Sequence, residues 1–401
     1  FDVTGAGWLY DGQYSGNPFD YGNAQKLAFL DLITPTASAY MNSVFHASTG
    51  WTKSAIITGI LGLGGSGRMT GYLQEFTIWS TNQSANRSGI ETNINDQYAI
   101  YGQSPTGFLA DYPGAAAAYS LRQLISTANY AVAVRRASDD AVLPIGFVNG
   151  ELDTDTLADF CSGTDGFVVV WFDQSGEGND ATQTTPANQP KIYDASTGVI
   201  TENGKPAVEF DADFLTIGSS TSLFNFLHNG TTSSVFVAAR FGHVADPNAI
   251  YGVYGNNAGS GGKIGAYFYW DDRAASSRNN AILLSIYNGN NGSRVCDSVV
   301  NNIATANQQL LVYNEFNADS ATLNDRAISG VDGASAVGAN TRSGTPTASD
   351  ASHDMQIGNQ GGSLSAVAFK GAMREVIFYS SDQSTNRSGI ETNINDFYSI
   401  Y

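Results

Sequence analysis

The eleven residues Asn-Arg-Ser-Gly-Ile-Glu-Thr-Asn-Ile-Asn-Asp occur twice in this chain, at Asn86–Asp96 and at Asn386–Asp396, 300 positions apart. Aligned over Phe76–Tyr101 and Val376–Tyr401, the two segments share 17 of 26 positions. Self-similarity at a long period marks repeated structural units. The spacing predicts a unit of about 300 residues, and only 75 residues precede the first aligned copy. The expected organisation is therefore a partial sandwich over 1–105, the closing half of a domain, followed by a complete sandwich over 106–401. Ile56–Trp79 and Met355–Tyr379, just before the signatures, share a strand, Gly-rich turn and strand pattern. Half a sandwich leaves strand edges uncovered, so the first domain is expected to draw its missing strands from an upstream segment or a partner chain, or to adopt an altered fold. Phe1 in place of Met is read as processing or a start partway through a gene product.

Short runs rich in Val, Ile, Phe and Tyr dominate the rest: Ala131–Arg136, Phe167–Phe172, Ala207–Phe210, Ser234–Phe241, Ile264–Trp270, Ala281–Tyr287, Leu310–Phe316 and Val367–Tyr379. Gly, Asn, Asp and Ser clusters separate them, the pattern of an all-β sandwich or jelly roll. Two short helices are expected. One is Pro113–Ile125, where Pro113 suits a helix start and an alanine run follows. The other lies in the repeat, where Ile390, Ile394 and Tyr398 recur every fourth residue, with Ser384 or Ser388 as cap. Each signature thus reads as a terminal strand and an amphipathic helix that close a sandwich, a packing role rather than a chemical one.

Charge narrows the function. Acidic residues number 37 against 19 basic, a net charge of −18, which disfavours nucleic acid and anionic membrane surfaces. Only 14% of residues are charged, against roughly 25% in ordinary soluble proteins. Solubility then rests on Asn, Ser, Thr and Gly, as in extracellular and virion proteins. The longest apolar stretch, Ala55–Leu63, falls short of the ~20 residues a bilayer requires. No cofactor is called for, Ca²⁺ on acidic loops being the one ion the composition would suit. Cys161 and Cys296 make no disulfide framework or zinc cluster; one long-range bridge and two buried thiols both remain open. The four histidines are scattered, and Gly62–Gly67 fits a dinucleotide-loop pattern by letter only, because Met69–Trp79 reads as strand, not helix.

Three stretches carry a family resemblance. Gly371–Tyr379 followed by a polar helix, and Pro206–Gly218, resemble strands of concanavalin A-like (laminin G-like) lectin/glucanase domains. Within Tyr119–Thr182, the succession Arg-Arg-Ala-Ser-Asp-Asp (Arg135–Asp140), Asp-Phe-Cys (Asp159–Cys161) and Asp-Gln-Ser-Gly-Glu-Gly-Asn (Asp173–Asn179) resembles the catalytic domain of fungal α-L-arabinofuranosidase B. The resemblance spans about 110–401 and implies a concanavalin A-like jelly-roll β-sandwich. It also implies that the family's partner for Cys161 falls near Gly166, so that this local disulfide is missing. The family's catalytic Asp falls at about Asn359–Gly361, where the chain reads Asn, Gln and Gly. Its other carboxylate falls near Asp271 or Asp272. A glycosidase uses two carboxyl groups about the scissile bond, so the resemblance implies catalysis lost or relocated.

The most site-like cluster is Tyr267, Tyr269, Trp270, Asp271 and Asp272, an aromatic run ending in carboxylates. Aromatic faces stack on sugars, and carboxylates accept sugar hydroxyls. Glu209, Asp211 and Asp213 share a strand face and read as a structural turn pairing. The leading expectation is a non-catalytic, lectin-like structural or adhesion module of a larger extracellular or virion protein. The Asn/Ser/Thr-rich closing signature resembles lectin-like domains of phage structural and adhesion proteins. Its expected partners are a surface glycan, neighbouring subunits of an oligomeric assembly, or both. Two alternatives are carried: a secreted glycoside hydrolase related to arabinofuranosidases, and a ligand-free scaffold.

Overall fold

The computed structural model describes residues 106–401 apart from 243–247, 255–261, 272–277, 279, 290–293, 304, 306 and 362–366. Among the first 105 residues it describes 83–98, Thr77 and the backbone of seven short strands. Two compact units result, Phe1–Ser104 and Pro105–Tyr401. In the first, Ala28–Ile33, Thr36–Met41 and Val44–Gly50 pair in turn as an antiparallel sheet, and Arg87–Tyr98 is a helix. Gly62–Leu63 and Gly67–Arg68 pair antiparallel across the Gly-rich stretch; most of Met69–Trp79 lies outside the described residues.

The second unit is mostly β, an antiparallel sheet that curls toward a closed barrel, with few helices. Its organising element is the closing strand, Lys370–Tyr379. One edge runs along the central strand, Ser233–Phe241. The other edge is shared by the first strand, Ala115–Ser120, and by Val208–Asp211. Beyond the central strand lie Gln309–Phe316 and Ala327–Val331. In the other direction the ladder passes through Lys191–Asp194, Gly166–Trp171, Ala181–Thr182, Leu215–Ile217, Gln356–Ile357 and Asn248–Gly252. It reaches the aromatic strand Ile264–Asp271, then Ala281–Asn288 and Arg294–Val300.

Strand alternation sorts side chains to two sides. Val376 and Phe378 of the closing strand enter the main core with Trp171, Phe241 and Trp270. Ile377 and Tyr379 face outward, where Phe236, Leu311 and Tyr313 receive Ile390, Ile394 and Tyr398 of the terminal helix Arg387–Tyr398. The helix forms over the expected repeat positions, but neither proposed serine caps it. Asn386 is the cap residue, without a side-chain cap bond.

The helix expected over Pro113–Ile125 is overturned, since Ala115–Ser120 is a strand. Alanine has high intrinsic helix propensity, yet this run lies between two packed layers. Ala117 faces the main core and Ala118 the layer beneath the terminal helix, both fully buried. Small side chains suit a strand squeezed from both sides, and tertiary packing overrides propensity. Phe108–Asp111 and Thr154–Phe160 are the helices this expectation missed.

A bulge in the closing strand sets up the main polar contact. Ala238 pairs with Glu375 and Ala239 with Met373, which leaves Arg374 as the extra residue. Glu375 then takes a bidentate bond from Arg122, Nε to Oε2 at 2.7 Å and Nη2 to Oε1 at 2.9 Å. Arg122 also donates Nη1 to Asn393 of the terminal helix at 2.7 Å. Its guanidinium lies 5.2–5.7 Å from the rings of Phe108, Phe397 and Tyr398.

Both cysteines are buried free thiols. Burial pushes Cys161 up to about 11 and Cys296 up to about 12, which keeps both protonated and unreactive. A Cβ placed on Gly166 would lie 2.6 Å from Cys161 Sγ. The position that the resemblance pairs with Cys161 is thus adjacent to it in space, and glycine leaves the room the thiol occupies.

Two outcomes follow from this packing. Arg122→Met strands a buried carboxylate, and we expect chemical denaturation to show a loss of about 3–5 kcal/mol, much of it recovered when Glu375→Leu is added. Gly166→Cys should form a bridge to Cys161 under oxidant. Closing so short a loop is worth about 2 kcal/mol, visible as a higher melting midpoint that reductant abolishes; three titratable thiols remaining after oxidation, instead of one, would refute it.

Candidate functional site

The Asp173–Asn179 loop, the most distinctive motif of the chain, builds structure. Asp173 Oδ1 accepts the backbone N–H of Ala118 at 2.8 Å and of Ser175 at 2.9 Å. Its Oδ2 accepts the Ser175 hydroxyl at 2.7 Å and the Asn179 N–H at 3.0 Å. Gln174, buried, accepts from Leu124 N at 2.7 Å and donates to the carbonyls of Ser120 and Arg122 at 3.0 Å each. Tyr119 donates its hydroxyl to the Asn179 carbonyl. The loop therefore pins the first strand and the segment after it, and its carboxylate is fully engaged in doing so.

The acidic triplet is engaged as well. Glu209 accepts from Arg240 at 2.8 Å and Asp211 from Lys370 at 2.7 Å. Asp213 accepts the Asp211 N–H at 2.9 Å, and burial lifts its carboxyl to about 6. Among the described residues, no group of three or more His, Cys, Asp or Glu gathers as a metal site, and no helix is long and apolar enough to cross a membrane.

The aromatic strand presents two different faces. Phe268 and Trp270 point into the main core, where Phe241 packs on both. Tyr267 and Tyr269 point the other way, stacked with centroids 4.2 Å apart. By alternation Asp271 is on the tyrosine side, buried. Trp270 therefore does not join the tyrosines, although it adjoins them in sequence, and Asp272 lies outside the described residues.

Two further tyrosines complete the cluster. Tyr254 lies 5.2 Å from Tyr267 and 4.4 Å from Tyr287, which comes from the neighbouring strand. Tyr267, Tyr254 and Tyr269 are each 7–8% exposed, so the rings form the floor of the face rather than a projecting platform. Burial raises all four hydroxyls, that of Tyr287 to about 12, so they stay protonated and can donate. Gln360, itself buried, accepts the Tyr269 hydroxyl, and its backbone carbonyl accepts Tyr254 N at 2.9 Å. Ser285 and Asp297 continue the face, bonded to each other at 2.8 Å.

The cross-strand register places Asp297 beside Ser285 and Ser285 beside Tyr267, four residues from Asp271. That is a Cα separation of roughly 16 Å at ordinary strand spacing. Glycosidase carboxyl pairs lie about 5–9.5 Å apart. The face thus offers hydroxyl donors, ring faces and an amide, with its described carboxylates at opposite ends.

A family model described as the catalytic domain of α-L-arabinofuranosidase B matches residues 99–262. The chain is similar to a carbohydrate-active domain. The matched stretch holds the Asp173 loop, Cys161 and Tyr254, and it stops short of the aromatic strand. Two solved arabinofuranosidases of glycoside hydrolase family 54, one soaked with a cyclic sulfate inhibitor and one complexed with arabinofuranosyl-α-1,2-xylobiose, are each 17% identical with a TM-score of 0.47. Each alignment covers 70% of this chain and 62% of theirs, so the chain spans under two thirds of their length. The Streptococcus pneumoniae NanB sialidase, as its K499G mutant, is 12% identical over 45% of this chain and 26% of its own, with a TM-score of 0.34. No curated protein matches.

Tyr254 and Tyr287 were not foreseen from sequence, and Gln360 was marked only as part of the Asn359–Gly361 stretch where the resemblance places a catalytic Asp. Only the register that sets Tyr287 opposite Gly265, and the contact that brings Gln360 to Tyr254, bring them in. Tyr269→Phe removes one hydroxyl and strands the Gln360 carbonyl. We expect a stability loss of about 1–3 kcal/mol with the aromatic packing retained, measured by denaturant titration; an unchanged midpoint would show the bond contributes nothing.

Proposed function

We propose that the unit 105–401 is a concanavalin A-like jelly roll that holds a glycan on its tyrosine face without cleaving it. The reading is carried by one observation, the four-tyrosine floor closed by the Gln360 amide. The amide falls in the stretch where the arabinofuranosidase resemblance places a catalytic acid. An amide has no proton to give at neutral pH, whereas it hydrogen-bonds sugar hydroxyls well. Similarity of residues 99–262 to an arabinofuranosidase catalytic domain supports arabinose-bearing glycans as the ligand class. Low charge content supports an extracellular or virion setting, and the doubled signature supports tandem domains within an oligomeric assembly.

A second reading, a glycoside hydrolase, is favoured by the same family match. It is also favoured by Asp213, whose raised carboxyl suits a general acid. Titration calorimetry against arabinose-bearing oligosaccharides, run beside turnover of aryl arabinofuranosides, separates the two. We expect binding without turnover, with Tyr267→Ala weakening binding about tenfold through lost ring contact at an unchanged fold. Turnover that disappears in Asp213→Asn or Asp271→Asn would replace the binding reading with the hydrolase. Silence in both assays would remove both.

A further inference from the structure

His228 ends the single-turn helix Asn225–Leu227, and its side chain is fully buried. Neither ring nitrogen has a hydrogen-bond partner. Buried polar groups in folded proteins are almost always bonded, so an imidazole left without a bond calls for a reason. Over it lies the irregular segment 344–354, a strap whose Thr347 backbone and Asp350 carboxylate act on the ring without completing a bond. Beside the ring the strap is fastened three times. Asn225 donates to Asp350 at 3.0 Å, Ala351 N to the Thr221 carbonyl at 2.9 Å, and Ser220 N to Asp354 at 2.6 Å. The same strap also holds the start of the aromatic strand. Ser352 N donates to the Ile264 carbonyl at 2.9 Å, and Ile264 N donates to the Ser352 hydroxyl at 2.8 Å. The next residue, Gly265, stands opposite Tyr287, so the strap fastens the end of the face where Tyr254 and Tyr287 pack.

We propose that His228 is an acid-sensitive latch: a proton on its ring opens the 344–354 strap and loosens the Tyr254–Tyr287 end of the face, releasing a bound glycan. The release step rests on the glycan-binding reading of that face, whereas the opening of the strap does not. Burial holds the imidazole down to about 4, against about 6.5 for a free one, so in the closed state the ring is neutral. A folded value below the unfolded one means stability that is complete above about pH 6.5 and is lost as pH falls toward 4. Among the described residues, the charged groups beside the ring are carboxylates, Asp350 on the strap and Asp319 next to Gly230. Asp350 favours the proton, but burial outweighs it. The strap's own histidine, His353, is half buried and lies next to the Ser352 fastening, so it is the control for any acid response.

The test is hydrogen exchange on the full chain between pH 7 and pH 4, corrected for the intrinsic pH dependence and read at the amides of Ile264, Ala351 and Ser352. We expect the open strap to be about a hundredfold more populated at pH 4 than at pH 7, the ratio that a shift from about 6.5 to about 4 implies. His228→Phe keeps a ring without a titratable nitrogen and should abolish the response; His228→Gln should do the same with a smaller, polar side chain. His353→Gln should keep it. Calorimetry with an arabinose-bearing oligosaccharide should show affinity falling over the same interval in the unsubstituted chain and not in His228→Phe. An acid response that survives both His228 substitutions, or its absence from the unsubstituted chain, overturns the latch. Opening without loss of affinity overturns the release step alone. Failure to bind at any pH overturns the glycan-binding reading, while the exchange data still decide the latch.

Discussion

The bidentate contact between Arg122 and Glu375 is the interaction on which the second unit's architecture depends. Arg122 follows the first strand, Glu375 sits at the bulge of the closing strand, and Asn393 and Tyr398 reach in from the terminal helix. Burying two charges costs several kcal/mol per ion, offset only when geometry is good and the remaining donors are satisfied. Here three aromatic rings enclose the guanidinium, and Ser120 donates a further bond to the carboxylate at 2.8 Å. A pair with such demands penalises every alternative register, because a slip of one residue would send Glu375 to the opposite face. Closing-strand register in turn sets the central strand on one edge and Val208–Asp211 on the other.

From that frame the ladder runs to the aromatic strand, where one segment does two jobs. Phe268 and Trp270 lock into the core against Phe241, and this anchors the backbone that carries Tyr267 and Tyr269 on the reverse. Rigid core packing on one face is what allows an aromatic cluster on the other to hold its geometry. The close approach of the 358–361 segment has its own requirement. A side chain at Gly252 would meet the Gln360 backbone at 2.8 Å, so glycine is what lets the amide reach the tyrosines.

Much of the strand plan was legible because Val, Phe and Tyr runs bounded by Gly and Asn encode half-buried strands directly. Ser233–Phe241 and Ala281–Asn288 form within a residue of their sequence limits. Ala115–Ser120 was not legible, since what makes it a strand is the pair of layers on either side of it. The site divides the same way. Alternation places Tyr267 and Tyr269 together, but sequence adjacency wrongly gathered Trp270 with them, and Tyr287 and Gln360 join only through pairings tens of residues apart. The Asp173 loop shows the converse case. Its letters are the most distinctive in the chain, and its carboxylate is spent on backbone N–H groups and a serine hydroxyl.

The doubled signature separates what a sequence encodes from what its surroundings decide. In the second unit, Ile390 and Ile394 are fully buried, and Gly389 lies under Tyr112 so closely that a Cβ would meet its hydroxyl group. In the first unit the identical residues Ile90 and Ile94 are half buried, and among the described residues nothing stands within 4 Å of a Cβ on Gly89. Both copies are helical, and Arg87–Glu91 and Arg387–Glu391 form the same i,i+4 ion pair at 2.7 and 2.9 Å. The eleven residues thus carry their helix and its internal ion pair with them. The burial of Ile390 and Ile394 in the second unit comes from Phe236, Tyr313, Ile377 and Tyr379. A short helix gains most of its stability from the surface it covers, and in the second unit that surface is the outer face of the closing and central strands.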